Sequence, residues 1–452
     1  MSEGKAEISV TKIAVASAIG CAIEWYDFFL YGVVSAIVFN RLFFPSDDAT
    51  VSTMLTWTTY AVGFVARPVG AVIFGHFGDR IGRKTILILT LLIMGAATFA
   101  IGLLPTYQSI GIWAPISLLA LRVFQGIGIG GEWGGAVLMA IEHSPDKKRG
   151  YYGAWPQIGV PAGMCLSAGV VALITAMTSS EDFAAWGWRI AFLLSAVLVI
   201  VGLYIRLKIF ETPAFQRMKE AKREARVPFL ELCRTHPKNV MLGMGARYIE
   251  GVCFNTYAVF VLSYLTNTQK LPQSNVLAAI TVASLITIFI IPLWGGLSDR
   301  IGRRFQFGVA AIATGLLVFP AFAAFSVPMS SFWIWLAIIV PFGIVYPALY
   351  GPQAALFSEL FDTRVRYSGV SFVYHFSGIF SSGLTPLIMS WLLIKGGGQP
   401  WLICIYVAVV SLISAASVTA MKEGSKRDIT QDMHESPLSN SAGISPVREV
   451  RV

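Results

Sequence analysis

The chain has 452 residues, of which 55% are hydrophobic and 13% charged, and its mean hydropathy is +0.67. Soluble domains carry about 25% charged residues, so a soluble globular protein is excluded, and the length accommodates about twelve membrane spans of about 20 residues with short connections. The formal net charge of +9 does not indicate a nucleic-acid partner, because the basic residues fall between apolar runs instead of lining one face.

Residues 1–12 form a short polar start without the charged, apolar and small-residue succession of a removable signal peptide. Apolar runs follow at 13–39, 51–77, 84–104, 112–141, 151–178 and 187–208. A charged stretch, 209–238, holds Arg217, Lys219, Lys222, Arg223 and Arg226. Six more runs lie at 239–267, 275–298, 304–327, 331–358, 367–394 and 400–421. The tail, 422–452, is polar and contains Pro437, Pro446 and several serines, which predicts disorder. The expected fold class is therefore an all-α membrane protein with twelve transmembrane helices. Residues 1–208 and 239–421 form two six-helix bundles, joined by a central loop at 209–238 and followed by the tail. The five cysteines, Cys21, Cys165, Cys233, Cys253 and Cys404, show no C-x-x-C spacing, so they give neither a disulfide nor a metal framework.

Lys and Arg placement sets the orientation. One set of connections carries Lys5, Lys12, Arg80, Arg83, Lys84, Lys147, Lys148, Arg149, the basic central loop, Arg300, Arg303, Arg304, Arg364 and Arg366. The opposite set shows little beyond Arg41, Lys270 and Lys395. The positive-inside rule puts both termini and the central loop in the cytoplasm.

The stretch Gly75-His76-Phe77-Gly78-Asp79-Arg80-Ile81-Gly82-Arg83-Lys84 returns as Gly295-Gly296-Leu297-Ser298-Asp299-Arg300-Ile301-Gly302-Arg303-Arg304, with Asp79 and Asp299 220 positions apart. Glu142 precedes Arg149 by seven residues and Glu359 precedes Arg366 by seven, at an offset of 217. Such repetition inside hydrophobic sequence reads as two related membrane halves. It predicts a cytoplasmic charge cluster in each half. Glu142 and Glu359 pair with the arginines of the neighbouring loop, and Asp79 caps a helix N-terminus.

Charges inside spans are costly, about 2.5–3.5 kcal/mol each at mid-bilayer on insertion scales. In span 1, Glu24, Asp27 and Tyr31 share one helical face. Span 4 carries Arg122, Gln125 and Glu132 among several glycines that allow close helix approach. Asp27 lies about 14 residues above the cytoplasmic start of span 1, and Arg122 about 10 below the outer start of span 4, or ~21 and ~15 Å. Those depths match, which predicts an Asp27–Arg122 pair. When Asp27 takes a proton, Arg122 is freed to hold a substrate carboxylate. Glu24 and Glu132 are the next candidates for proton coupling. Arg67 is expected to pair with Glu132, and Arg247 with Glu250 as a structural bridge. Tyr31, Gln125, Gln157, Asn255, Tyr257, Tyr350, Gln353 and Tyr374 are candidate cavity-lining residues beside Arg122. His76 and His375 have no metal-ligand spacing around them, and His375 is a minor candidate for a proton site.

The pattern Gly-x-x-x-Asp-Arg-x-Gly-Arg-Lys/Arg, present in both halves, resembles the signature loop of the major facilitator superfamily of secondary transporters. Glu24-Trp25-Tyr26-Asp27-Phe28, Arg67-Pro68-Val69-Gly70, Arg122-x-x-Gln125-Gly126, Gly130-Gly131-Glu132-Trp133-Gly134-Gly135 and Thr363-Arg364-Val365-Arg366-Tyr367-Ser368-Gly369 narrow it. Together they resemble the metabolite:H+ symporter family, with the shikimate transporters similar through the first half. The resemblance spans the twelve runs and excludes the tail.

It implies two pseudo-symmetric bundles around a central cavity and alternating access. The expected gate on the cytoplasmic side is Gly75, Asp79, Arg80, Gly82, Arg83, Glu142, Arg149, Asp299, Arg300, Arg303, Glu359 and Arg366. The implied activity is proton-coupled uptake of a small organic acid, such as shikimate or a di- or tricarboxylate, across a bacterial inner membrane. The drive is the proton gradient, without cofactor or metal, in a monomer. The alternative is a proton-coupled carrier of a zwitterionic osmolyte such as proline or betaine. Osmosensing members of the family have a C-terminal coiled coil, and this tail has no heptads. No nucleophile elbow, phosphate loop or metal cluster is present, so an enzyme is not expected.

Overall fold

The computed structural model describes residues 10–45, 49–208, 211–220, 228–326 and 331–424. The expected disorder at 425–452, including Pro437 and Pro446, and the basic residues Lys5, Lys222, Arg223 and Arg226 lie outside the described residues.

The described residues are helical, with no strand. The long spans, in chain order, are α1 Val10–Val34, α2 Ala49–Ile81, α3 Arg83–Leu103, α4 Trp113–Glu142, α5 Asp146–Met177, α6 Ser180–Leu207, α7 Pro237–Thr266, α8 Ser274–Ile301, α9 Arg303–Phe325, α10 Phe332–Ser358, α11 Arg366–Lys395 and α12 Trp401–Ala420. Eleven of them are long and apolar enough to cross a membrane. The other, α2, has 33 residues and extends ~50 Å, more than a bilayer core requires. Large apolar side chains such as Leu173, Ile200, Phe289, Leu316 and Ile394 are exposed on outward faces, while many charged groups are buried. This inverts the soluble pattern and suits a hydrocarbon surround. Between α6 and α7 the charged stretch contains two short helices, Pro213–Glu220 and Pro228–Thr235. Phe215 and Leu232 anchor them into the body.

Two backbone features position everything on the loop-bearing face. The α2–α3 and α8–α9 turns are each made by a single residue, Gly82 with φ +113° and Gly302 with φ +94°. A side chain is strained at such angles, so glycine lets each helix end and the next begin at once. The second feature is the α2–α4 seam. A Cβ added to Gly130 would lie 2.1 Å from the carbonyl oxygen of Arg67, and one on Gly70 2.0 Å from that of Ile127. The backbones touch, which fixes the height of Arg67 against α4.

Gly130→Ala should therefore separate α2 from α4, because backbone cannot yield as a flexible side chain does. A loss of about 1–3 kcal/mol is expected, read as a clear fall in Tm of the detergent-solubilised protein. Gly169→Ala on α5, with nothing within 4 Å of the added atom, should be neutral or slightly stabilising. Equal melting of the two variants would contradict the seam.

Candidate functional site

Each half contributes one charge cluster at the loop-bearing end, and each cluster reaches across to the other half. Asp79 at the end of α2 accepts hydrogen bonds from the amides of Tyr367 (3.1 Å) and Ser368 (2.9 Å) and from the Ser368 hydroxyl (2.9 Å). These are the first donors of α11, where the helix dipole favours an anion. Arg83 lies 3.4 Å from Asp79 and 3.6 Å from Glu142, and Arg366 lies 3.2 Å from Glu142. The repeat reproduces this. Asp299 accepts from the amides of Gly150 (2.8 Å) and Tyr151 (2.9 Å) near the start of α5. Arg303 is 2.9 Å from Asp299 and 2.8 Å from Glu359, and Arg149 is 3.6 Å from Glu359 and also bonds Asp146. Arg83, Arg149, Arg303 and Arg366 are fully buried.

A Cβ on Gly75 would stand 2.9 Å from the Ser368 Cα, so α2 and α11 are in close contact here. Arg80 and Arg300 stay outside both clusters: they are exposed, and Arg80 sits 3.4 Å from His76. The sequence reading missed two caps. Glu211 accepts from the Lys84 amide at 3.1 Å, and Glu423 from the Arg304 amide at 3.3 Å. The signal was an acid shortly after the sixth and the twelfth run.

By helical rise, a polar and aromatic floor lies about 12 Å above these two charge clusters, the candidate latch between the halves. Trp133 of α4 stacks on Tyr374 of α11 with centroids 3.7 Å apart. Trp133 Nε1 donates to Gln157 at 3.2 Å, Gln157 donates to the Tyr350 carbonyl, and the hydroxyls of Tyr350 and Tyr374 are 3.3 Å apart. Beyond the floor is a cavity between the halves. Its walls include Arg67, Phe28 and Phe64 from the first half and Arg247, Glu250, Asn255, Tyr346 and Tyr374 from the second. Arg247 is 3.3 Å from Glu250 and donates to Ser381 at 2.7 Å, and Tyr346 donates to Glu250 at 3.0 Å with Gln353 alongside. The Arg67 guanidinium lies over Phe64 at 4.0 Å and Phe28 at 4.2 Å. Around the cavity α7, α10 and α11 each carry a π-helical turn, at Thr256–Phe260, Ile339–Val345 and Ile379–Gly383. Such turns re-aim side chains and recur at functional sites. Among the candidate lining residues, Asn255 and Tyr374 line the cavity. Tyr257 is buried near Cys253 and Cys404, outside its walls.

The charges inside the first half are arranged differently from the expectation. Asp27 and Arg122 form no ion pair. Arg122 donates to Gln125 at 2.9 Å and lies 3.9 Å over the Tyr31 ring, Gln125 donates to Thr98 at 2.7 Å, and Thr98 stands beside the Asp27 carboxyl while its hydroxyl donates to the Met94 carbonyl. Two side chains, Gln125 and Thr98, thus stand between the two charges: the depths match, but Phe28 and Tyr31 occupy the space beside the guanidinium. Arg67 also does not meet Glu132. Glu132 lies 3.8 Å from Arg206, which is 2.7 Å from Glu24, and the Cys21 thiol donates to Glu132 at 2.8 Å. Arg206, which the sequence analysis did not single out, reaches inward from the last turn of α6 and is a buried partner. Arg189 bonds the carbonyls of Gly102 and Leu104 and holds a helix end.

If the latch holds its end shut, Asp79→Asn should open it. In a Cys233→Ser background, a cysteine at the buried Ser371 position should be labelled several-fold faster by an impermeant thiol reagent. Unchanged labelling would mean the cluster does not close this end.

Residues 17–381, and in an overlapping match 252–448, fit the Major Facilitator Superfamily. The chain is 40% identical to the inner membrane metabolite transport protein YhjE of Escherichia coli (strain K12), over 85% of this chain and 88% of that protein. It is 38% identical to the shikimate transporter of the same strain, over 94% and 97%. It is also 34% identical to the proline/betaine transporter of Salmonella typhimurium, over 92% and 84%. The structure of the proton:xylose symporter XylE superimposes with a TM-score of 0.77 at 15% identity, covering 94% of this chain and 98% of that one, a likeness of fold. The fold, the repeated latch and these relatives agree: the chain belongs to the major facilitator superfamily of transporters.

Proposed function

We propose that this transporter is a proton-coupled symporter that takes up a small organic acid carrying at least one carboxylate. It sits in a bacterial inner membrane with both termini and the latch facing the cytoplasm. The observation that carries this reading is the cavity, where two guanidiniums, Arg67 and Arg247, face one carboxylate, Glu250, which Arg247 and Tyr346 already engage. The charge balance favours an incoming anion, and a guanidinium binds a carboxylate in two-point fashion. The cavity is about 40 Å³, far below the ~300 Å³ of an ordinary ligand pocket. Binding therefore requires the halves to part, residues 1–208 rocking against 239–421.

Asp27 is placed to carry the coupling proton. The Thr98 hydroxyl donates its one hydrogen to the Met94 carbonyl at 2.9 Å and lies beside the Asp27 carboxyl, a competing acceptor. An ionised Asp27 competes for that hydrogen and a protonated one releases it. The change passes through Gln125 to the hold on Arg122. Asp27→Asn mimics the protonated state, so it should abolish accumulation driven by an inward pH gradient in vesicles while exchange persists. Accumulation that survives in this variant would move the role to Glu24 or Glu132.

A second reading is a carrier of a zwitterionic osmolyte. It is favoured by the aromatic faces of Trp25, Phe28, Phe29, Phe64 and Phe254 near Glu250, which suit a quaternary ammonium, and by the proline/betaine relatives. Counterflow of labelled shikimate, citrate, 2-oxoglutarate, proline, glycine betaine and xylose in proteoliposomes separates the two. Response to xylose with none to the acids would sink the acid reading. For the acid that responds, Arg247→Ala should weaken apparent affinity tenfold or more, about 1.5–3 kcal/mol for a charge-assisted bond.

A further inference from the structure

α2 and α11 run antiparallel along the seam between the halves. Gly75 faces Ser368 near the latch, and farther up a Cβ on Gly383 would lie 3.7 Å from the Phe64 Cβ. Between these contacts Arg67 stands two turns from Gly75, and His375 two turns from Ser368, so they lie at one level on facing helices. His375 is 1% exposed, and among the described residues neither ring nitrogen has a hydrogen-bond partner. A buried imidazole left without a partner is costly, which asks what completes it in another state of the cycle.

The groups facing it are known from each neighbouring element. From α2 it feels Arg67, and from α7 Arg247, behind which Glu250 is held by Arg247 and Tyr346. On its own helix its neighbour Tyr374 lies edge-on at 5.1 Å. From α4, Trp133 covers Tyr374, and from α10 the Tyr350 hydroxyl meets Tyr374.

We propose that His375 is a second proton site, filled when a carboxylate-bearing substrate occupies the cavity beside Arg67 and Arg247. An imidazolium next to two guanidiniums in a low dielectric is repelled by both. A substrate carboxylate among the three supplies the missing counter-charge. The imidazole gains one proton from water on the open side while the substrate enters as its anion, so one carboxylate charge of the substrate is balanced by the proton. Proton and carboxylate then bind together, and each raises the affinity of the other by the same factor. The proposal rests on the organic-acid reading and adds a site distinct from Asp27, on the opposite half.

The test is proton uptake on binding of shikimate, citrate and 2-oxoglutarate to purified protein. It is measured by titration calorimetry in buffers of different ionisation enthalpy between pH 6 and 8. For an acid that binds, wild-type affinity should fall about tenfold per pH unit at the alkaline end of that range, as one linked proton requires. His375→Gln and His375→Asn should each take up one proton fewer and lose that slope. Asp27→Asn, with His375 intact, should still take up a proton with each bound acid. Equal proton counts in wild type and the His375 variants, or no uptake in Asp27→Asn, overturn the proposal alone. Wild-type protein that binds none of the acids overturns the functional reading and this site with it.

Discussion

A carboxylate seated on the first amides of a helix from the opposite half is the contact on which the architecture depends. Asp79 does this to α11 and Asp299 to α5. In each case the anion meets unsatisfied backbone donors and the positive end of a helix dipole, so it is stabilised where a lone charge would be costly. The arginine one turn on, Arg83 or Arg303, then ties that anion to a glutamate, Glu142 or Glu359. A further arginine from the other half, Arg366 or Arg149, completes the cluster. The contact is reversible by design of its chemistry: parting the halves re-exposes charged groups that water solvates well.

The single-glycine turns at Gly82 and Gly302 make this possible. They let each helix end directly beside its arginine, with no loop to soften the placement. Glu211 and Glu423 cap the helices that follow, so the residues after the sixth and twelfth spans brace the same turns. Above the latch, the layer of Trp133, Gln157, Tyr350 and Tyr374 separates it from the charged cavity. Latch, floor and cavity form three levels along the seam, and each is built from both halves.

The halves are alike in backbone but differ in charge at a position facing the interior of each. Glu24 and Asp27 on α1 are mirrored at an offset of 223 by Arg247 and Glu250 on α7, with the same i, i+3 spacing. In the first half the acids turn into the bundle, toward Arg206 and Thr98. In the second half the arginine and the acid face the cavity.

Sequence alone determined the membrane class, the helical spans, the twofold repeat and the pairing of Asp79, Arg83, Glu142 and their counterparts, but not that Arg80 and Arg300 stay outside. Each of these is local: an apolar run of fixed length, a glycine where the backbone must turn, charges at fixed spacing beside it. Depth was also legible, since helical rise placed Asp27 and Arg122 at one height. Azimuth was not. A helix may turn any face to its neighbours, and only packing decides which. Here backbone contact at Gly70 and Gly130 sets α2 against α4, and Phe28 and Tyr31 cover Arg122. Arg67 and Arg247 therefore line the cavity, and Gln125 and Thr98 stand between Arg122 and Asp27. Arg206 pairs with Glu24 because α6 closes on α1, a proximity between residues 182 positions apart in the chain that no local pattern encodes.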